Sequence, residues 1–294
     1  MQQQSKAPND EYGRWIEKPV REGQGRLYRR YVVKTHLVRP GERLDKTLAP
    51  YLADQLQSQD ILVLGEKIVA ISEGRAVLLS AVKPRRLAQM LSRHVRPLGY
   101  GLGLRRPETM EMAMREAGSL RIIMAAAAGA LDRLTGRSGN FYRVAGRRVA
   151  AIDGPGPTTI PPYNQYIVLA PAHPEWVIQA LHRRFGCHVA VVDVNDVGSE
   201  VLAASSEIDR RLVQHLMRDN PMGQGAQGTP VAVLRPSAEV TRSEAWPKRM
   251  APLPAGWVMP LAGSADVALR IARDPEAEWD GAAHGDPEMD SVDL

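Results

Sequence analysis

Three short runs of apolar, mostly β-branched residues constrain the fold of this chain most strongly. They are ILVL at residues 61–64, HVAVVDV at 188–194 and PVAVL at 230–234. Runs of this length, bounded by polar and turn residues, are typical of strands buried on both faces. The second run follows residues 174–185, whose apolar spacing predicts an amphipathic helix. Buried strands interspersed with helices favour an α/β fold (mixed α+β) with mixed sheets and flanking helices.

Local patterns predict further elements between these strands. Apolar spacing predicts helices over residues 44–57 and 206–217, strands over 30–38 and 166–169, and a β-hairpin over 136–153. Residues 107–117 and 120–131 have helical or mixed apolar patterns. The run at 61–64 continues into KIVAI at 67–71, which predicts a strand leading into a loop or short helix that carries Lys67.

Length and charge limit the broad class of the protein. The chain has 294 residues, enough for one large domain or two modest ones. No apolar run approaches the roughly 18 residues of a membrane-spanning helix. The start of the sequence lacks the apolar run of a secretory signal, and the single Cys187 cannot pair within the chain. We therefore expect a cytoplasmic protein.

The two ends differ in composition from the middle. Residues 1–28 and 273–294 lack a periodic apolar face and are predicted to be disordered, which leaves a domain over 29–272 that could contain two intertwined subdomains. The net charge is +5 although the C-terminal segment is acidic, so the body is more basic than the total. A basic body of this kind is expected to bind anionic partners. Nucleic acid is not favoured, because aromatic residues make up 5% of the chain and no reader motif accompanies the arginine pairs.

A first group of candidate site residues carries oxygen ligands at the ends of predicted strands and loops. Its members are Asp153, Asp193, Asn195 and Asp196. Magnesium and manganese prefer carboxylate and amide oxygens, so the set suits a site for a metal and a phosphate. Because side chains alternate along a strand, Asp193 and Asp196 are expected to point to opposite faces of the sheet. The alternative is that these residues cap helices and form turns.

A second candidate is the glycine-rich loop between a predicted helix and strand. It comprises Met222, Gly223, Gln224, Gly225, Ala226, Gln227, Gly228 and Thr229. Glycines let backbone N–H groups approach phosphate oxygens, and Gln224 could give a metal an amide oxygen. The loop lacks the GK[ST] ending of a P-loop and the helix that follows it. A flexible connector is the alternative reading.

Lys67 is the third candidate. A lysine at the end of a strand can meet a phosphate as a point charge, although most lysines are solvated surface groups. The same two alternatives, a phosphate contact or an ordinary structural side chain, apply to His36. Cys187 precedes a buried run, which favours a core thiol over a nucleophile.

Three stretches, in order, resemble the coenzyme F-420:L-glutamate ligase (gamma-glutamyl ligase) family. ILVLGEKIVAISEGR resembles its lysine-bearing loop, the Asp153 region and VVDVNDVG its two aspartate-bearing segments, and MGQGAQGTPVAVLR its late nucleotide loop and strand. The resemblance spans about residues 32–235. It implies a mixed α/β homodimer that joins glutamate to a carboxylate at the expense of GTP, in coenzyme F-420 biosynthesis.

The resemblance also implies roles for individual residues. Lys67 and the 222–229 loop would bind GTP or ATP, and Asp153, Asp196 and Gln224 would hold Mg²⁺ or Mn²⁺, with K⁺ as a further candidate ion. Asp153, Asp196 and Lys67 would be the catalytic residues. Residues 35–38 would correspond to a first nucleotide contact.

Three features depart from the family pattern. Glu66 replaces the hydroxyl residue that usually precedes the loop lysine, and Val197 replaces a Thr or Ser after the second aspartate. The Asn expected shortly after the first aspartate is also missing, and GPGPTTIPPYN occupies this stretch at residues 154–164. Asn195 or Asp193 could compensate for the oxygen missing at Val197. The chain is therefore interpreted as a divergent ligase, and the alternative is a non-catalytic nucleotide-binding homologue with a regulatory role.

Overall fold

A computed structural model describes most of the chain between residues 12 and 237. The described ranges are 12–95, 103–136, 139–156, 159–195, 198–223 and 227–237. Four of the candidate residues lie outside these ranges, namely Asp196, Gln224, Gly225 and Ala226. The acidic segment 273–294 also lies outside them, so the domain boundary at 272 stays a prediction.

Eight strands form two sheets in the described ranges. They are β1 (Trp15–Gly23), β2 (Arg26–Val33), β3 (Ile61–Gly65), β4 (Ala76–Leu78), β5 (Tyr166–Val168), β6 (His188–Asn195), β7 (Gly198–Ala204) and β8 (Val231–Pro236). Six of them build one sheet in the order β1-β2-β8-β3-β6-β7, in which β3 and β6 are parallel and all other neighbours are antiparallel. The strands β4 and β5 form a small antiparallel sheet.

Ten α-helices accompany these sheets within the described ranges. They are α1 (Leu44–Thr47), α2 (Ala49–Leu52), α3 (Glu66–Ser72), α4 (Arg86–Ser92), α5 (Pro107–Ala117), α6 (Ser119–Thr135), α7 (Asn140–Ala145), α8 (Arg147–Ala150), α9 (Pro174–Phe185) and α10 (Arg210–Met217). The mixed α/β fold is thereby confirmed. None of the helices in the described part of the chain has the length and apolar character that a membrane crossing requires.

The buried strands divide their side chains between the two faces of the large sheet. Leu62 and Leu64 of β3 pack on the face that carries α3 and α9, whereas Ile61 and Val63 pack on the face of α10. All four are at most 6% exposed. Burying a side chain of this kind contributes about 1.5–3 kcal/mol, so the central strands are held firmly from both sides. A third apolar cluster lies among α4 to α8.

The predicted hairpin over residues 136–153 is wrong. This segment forms α7 and α8, which meet at Gly146 with a positive φ of 96°. Its apolar residues also recur at helical spacing, and Ala145 and Val149 are buried in the third cluster. Packing of that helical face therefore overrides the β-prone composition.

The predicted disorder of residues 1–28 is wrong from Trp15 onward, because β1 and the start of β2 occupy this stretch. Trp15 packs against Tyr31 at 5.5 Å between ring centroids, and its indole N–H donates to the carbonyl of Tyr51 at 3.0 Å. As an edge strand, β1 leaves most of its side chains at least partly exposed, which explains why no apolar face is visible in its sequence.

Candidate functional site

The parallel pair β3 and β6 brings two acidic residues to one edge of the large sheet. Gly65, the last residue of β3, lies opposite Val192 of β6. The next residue of each strand therefore follows at the same edge, which places Glu66 beside Asp193. Carboxyl ends of parallel strands are where α/β folds bind their ligands.

Asp153 reaches this edge through the small sheet. Its backbone forms an antiparallel bridge with Val168, in which each N–H donates to the other's carbonyl at 2.9 Å. Its carboxylate oxygen Oδ2 lies 2.9 Å from Nζ of Lys67, the second residue of α3. The structure thus brings together Lys67 and Asp153, two residues that the sequence singled out separately.

Glu66 is the most unusual group of this cluster. It is 7% exposed, and its oxygen Oε2 is buried without a hydrogen-bond partner among the described residues. Burial raises the pKa of Glu66 well above its ordinary value, and the negative charges of Asp193 and Asp153 raise it further. A buried carboxyl left without a donor is destabilising, so its presence calls for a functional explanation.

The neighbouring groups respond to the same charges. Burial raises the pKa of Asp193, and the charge of Asp153 adds to this effect while Lys67 opposes it. Burial by itself lowers the pKa of Lys67, yet the contact with Asp153 brings it above its ordinary value. The cluster of Glu66, Lys67, Asp153 and Asp193, which we name the acidic cluster, therefore has a surplus of carboxylates that favours a bound cation.

An ion pair connects the helix α8 to the same edge of the large sheet. Glu200 of β7 lies directly opposite Asp193, so the two side chains share one face of the sheet. The guanidinium of Arg147 on α8 contacts the carboxylate of Glu200. The pair thus connects β7 to α8, which ends three residues before Asp153.

The described parts of the glycine-rich loop border the acidic cluster. The N–H of Gly65 donates to the carbonyl of Pro230 at 3.0 Å, directly after the loop. The N–H of Thr35 donates to the carbonyl of Gly228 at 3.2 Å. The hydroxyl of Thr229 donates to the carbonyl of Met222 at 2.6 Å and joins the two ends of the loop. The loop therefore begins and ends beside the residue that precedes Glu66.

Gly223 fixes the conformation of this loop, and Gly223→Ala is expected to destabilise it. Its φ is 77°, and a methyl group there would collide with the side chain of Gln227. The left-handed conformation costs a residue with a Cβ about 1–2 kcal/mol. Urea unfolding should show a loss of this size. The matched variant Gly198→Ala, whose Cβ would meet nothing within 4 Å, should stay close to wild type. Equal stability of the two variants would contradict this account.

Other predicted residues have different surroundings. The side-chain oxygen of Asn195 accepts the N–H of Gly198 at 3.1 Å and so links the end of β6 to the start of β7. Cys187 is fully buried, and burial together with the charge of Asp60 raises the pKa of its thiol to about 11. This agrees with a core thiol. The Nδ1 atom of His36 lies 2.7 Å from the hydroxyl oxygen of Tyr51, and its Nε2 atom lies 3.3 Å from the carboxylate oxygen Oε2 of Glu42.

The donor set fits a divalent cation only with help from other ligands. Asp153 and Asp193 offer the carboxylate oxygens that Mg²⁺ and Mn²⁺ prefer. Among the described residues, however, no three His, Cys, Asp or Glu side chains are grouped closely enough to hold a metal ion. A metal held here would need substrate phosphate oxygens or the predicted ligands Asp196 and Gln224.

Comparison with known families decides which proteins this chain is related to. The family described as F420-0:Gamma-glutamyl ligase matches residues 32–203, more than half of the chain. The chain belongs to this gamma-glutamyl ligase family. The matched region contains β3, α3, β5, β6 and the whole acidic cluster. A search of curated proteins found no match. Membership supports a ligase that forms a gamma-glutamyl C–N bond in F420 biosynthesis.

Sequence reasoning identified Lys67 and Asp153 but treated Glu66 only as a departure from the family pattern. A signal for Glu66 was available, because a charged residue directly after a buried strand stands at the ligand-binding edge of the sheet. Glu200 and Arg147 gave no such signal. Their contact depends on the pairing of β6 with β7 and on the position of α8.

Proposed function

We propose that this gamma-glutamyl ligase is a nucleotide- and divalent-metal-dependent enzyme that joins L-glutamate to a carboxylate through an acyl phosphate. The observation that carries the proposal is the convergence of Lys67, Asp153 and Asp193 beside the two ends of the 222–229 loop. The nucleotide is GTP or ATP. The acceptor named in the family description is F420-0.

The chemistry requires an activated carboxylate. A carboxylate does not acylate an amine at neutral pH, because its oxygen is a poor leaving group. In the first step, an acceptor carboxylate oxygen attacks the terminal phosphorus, and the bond to the bridging oxygen breaks to release the nucleoside diphosphate. In the second step, the amine attacks the acyl carbon, phosphate leaves and the amine loses a proton. The protein contributes positioning and charge stabilisation rather than covalent chemistry.

Each described residue has a place in this scheme. Lys67 meets a phosphate oxygen as a point charge, and the N–H groups of the glycine-rich loop hold the phosphate chain in line. Asp153 and Asp193 would hold the divalent cation, together with the predicted ligands Asp196 and Gln224. A bound cation would supply charge neutralisation at the phosphates.

The alternative function is a homologue that binds nucleotide without turnover. The substitution at Glu66 favours it, because it places a buried carboxyl without a hydrogen-bond partner at Oε2 beside the proposed phosphate site. A protein of this kind would regulate a process through nucleotide binding alone.

A coupled assay separates the two functions. The full chain is incubated with F420-0, L-glutamate, GTP or ATP, and Mg²⁺ or Mn²⁺, and both phosphate release and the mass of the product are followed. The ligase proposal expects phosphate release that depends on both acceptor and glutamate, with one glutamyl group added to the product. Nucleotide binding without phosphate release would favour the regulatory homologue, and absence of nucleotide binding with either metal would contradict both.

A further inference from the structure

The unpartnered oxygen of Glu66 points to a ligand that brings its own hydrogen-bond donor. The side chain is buried to more than nine-tenths, and the acid stands where β3 passes into α3. The ammonium group of Lys67 is engaged with Asp153 at 2.9 Å. The other close charges that act on Glu66 are the carboxylates of Asp193 and Asp153. A cation with N–H groups would satisfy the oxygen and offset the negative charge.

The kind of cation follows from the number of oxygens on offer. A divalent metal ion needs several oxygen ligands around it, and no three acidic side chains of the described ranges converge in that way. An ammonium group carries three N–H donors, and the unpartnered oxygen of Glu66 can accept one of them. Glu66 is therefore suited to an ammonium ligand rather than to a third metal-ligand position.

We propose that Glu66 binds the ammonium group of the amino-acid substrate and holds it at the edge of the sheet before the C–N bond forms. This inference rests on the proposed ligase function, since the amine is a reactant there. The arrangement orients the nitrogen toward the acyl group that is activated beside Lys67 and Asp153. It also favours a cationic amine over a neutral donor, because only the cation offsets the negative charge of the neighbouring carboxylates.

Kinetics and binding of the variant Glu66→Gln test this role. The KM for L-glutamate should rise about tenfold or more, because a charge-assisted hydrogen bond is lost, while the KM for the nucleotide stays within about twofold. Isothermal titration should show the same loss for L-glutamate binding and an unchanged affinity for Mn²⁺. Glu66→Asp, which keeps the charge on a shorter side chain, should lie between the two. Asp45→Asn, a change in the ion pair with the exposed side chain of Arg43, serves as the control.

The outcomes separate this inference from the proposed function. A wild-type chain without turnover would contradict the ligase proposal, and the binding titration would still test Glu66. Equal affinities of wild type and Glu66→Gln for L-glutamate would overturn the inference whatever the turnover. A loss of Mn²⁺ affinity with unchanged glutamate affinity would also overturn it and would make Glu66 a metal ligand.

Discussion

Asp153→Asn is expected to lower ligase turnover by about 100-fold or more, which corresponds to a loss of about 3 kcal/mol of transition-state stabilisation. Asp153 contacts Lys67 directly and is one of two described carboxylates proposed to hold the cation. The asparagine amide keeps the shape of the side chain but removes the negative charge that neutralises Lys67 and the proposed cation. Its backbone bridge to Val168 is unaffected, so the fold should be retained.

Turnover is measured by phosphate release at saturating nucleotide and glutamate, with thermal unfolding as the check on folding. Asp45→Asn is the matched control, since it removes a carboxylate from an ion pair on α1, outside the acidic cluster. The control should keep wild-type activity. If Asp153→Asn keeps full activity while folded, the placement of the site at the carboxyl ends of β3 and β6 is wrong.

Glu66→Gln is expected to stabilise the metal-free protein at neutral pH. The wild-type carboxylate has lost its hydration and has no donor at Oε2, an arrangement that costs about 1–3 kcal/mol. A glutamine of the same size removes the charge and can donate to a neighbouring carboxylate. The midpoint of thermal unfolding should rise by about 2–12 °C.

The pH dependence of this effect has a defined sign. Because the pKa of Glu66 is raised in the folded state, the folded protein binds more protons than the unfolded chain above pH 4.5, the ordinary value. Stability of the wild type therefore falls, relative to Glu66→Gln, as the pH rises from 4.5 to the raised pKa, and then stays constant. Unfolding in the presence of a chelator across this range measures the difference. A variant less stable than wild type at neutral pH would show that the carboxylate has a stabilising partner.

The parts of the fold that the sequence predicts well are those in which local pattern and tertiary packing agree. The helix α9 has the bounds that its apolar spacing predicts, α5 takes the helical alternative for residues 107–117, and β3 and β6 follow the buried runs. The failures have physical causes. The edge strand β1 buries little, so it carries no apolar alternation, and the segment of α7 and α8 is β-prone but packs as helices.

The candidate site could be predicted only in part for a related reason. Lys67 and Asp153 carry chemistry that is recognisable in isolation, and the resemblance to the gamma-glutamyl ligase family links them. Their direct contact depends on the bridge between Asp153 and Val168, which no local pattern encodes. The position of Glu66 beside Asp193 depends on the parallel register of β3 and β6, since a different register would separate the two acids.

The measurement that tests the central claim most directly is the location of manganese in crystals of the full chain grown with Mn²⁺ and a non-hydrolysable GTP analogue. The claim predicts an anomalous scattering peak at coordination distance from the carboxylates of Asp153 and Asp193, with the terminal phosphate near Lys67. A peak elsewhere on the protein, or nucleotide bound away from the acidic cluster, would contradict it.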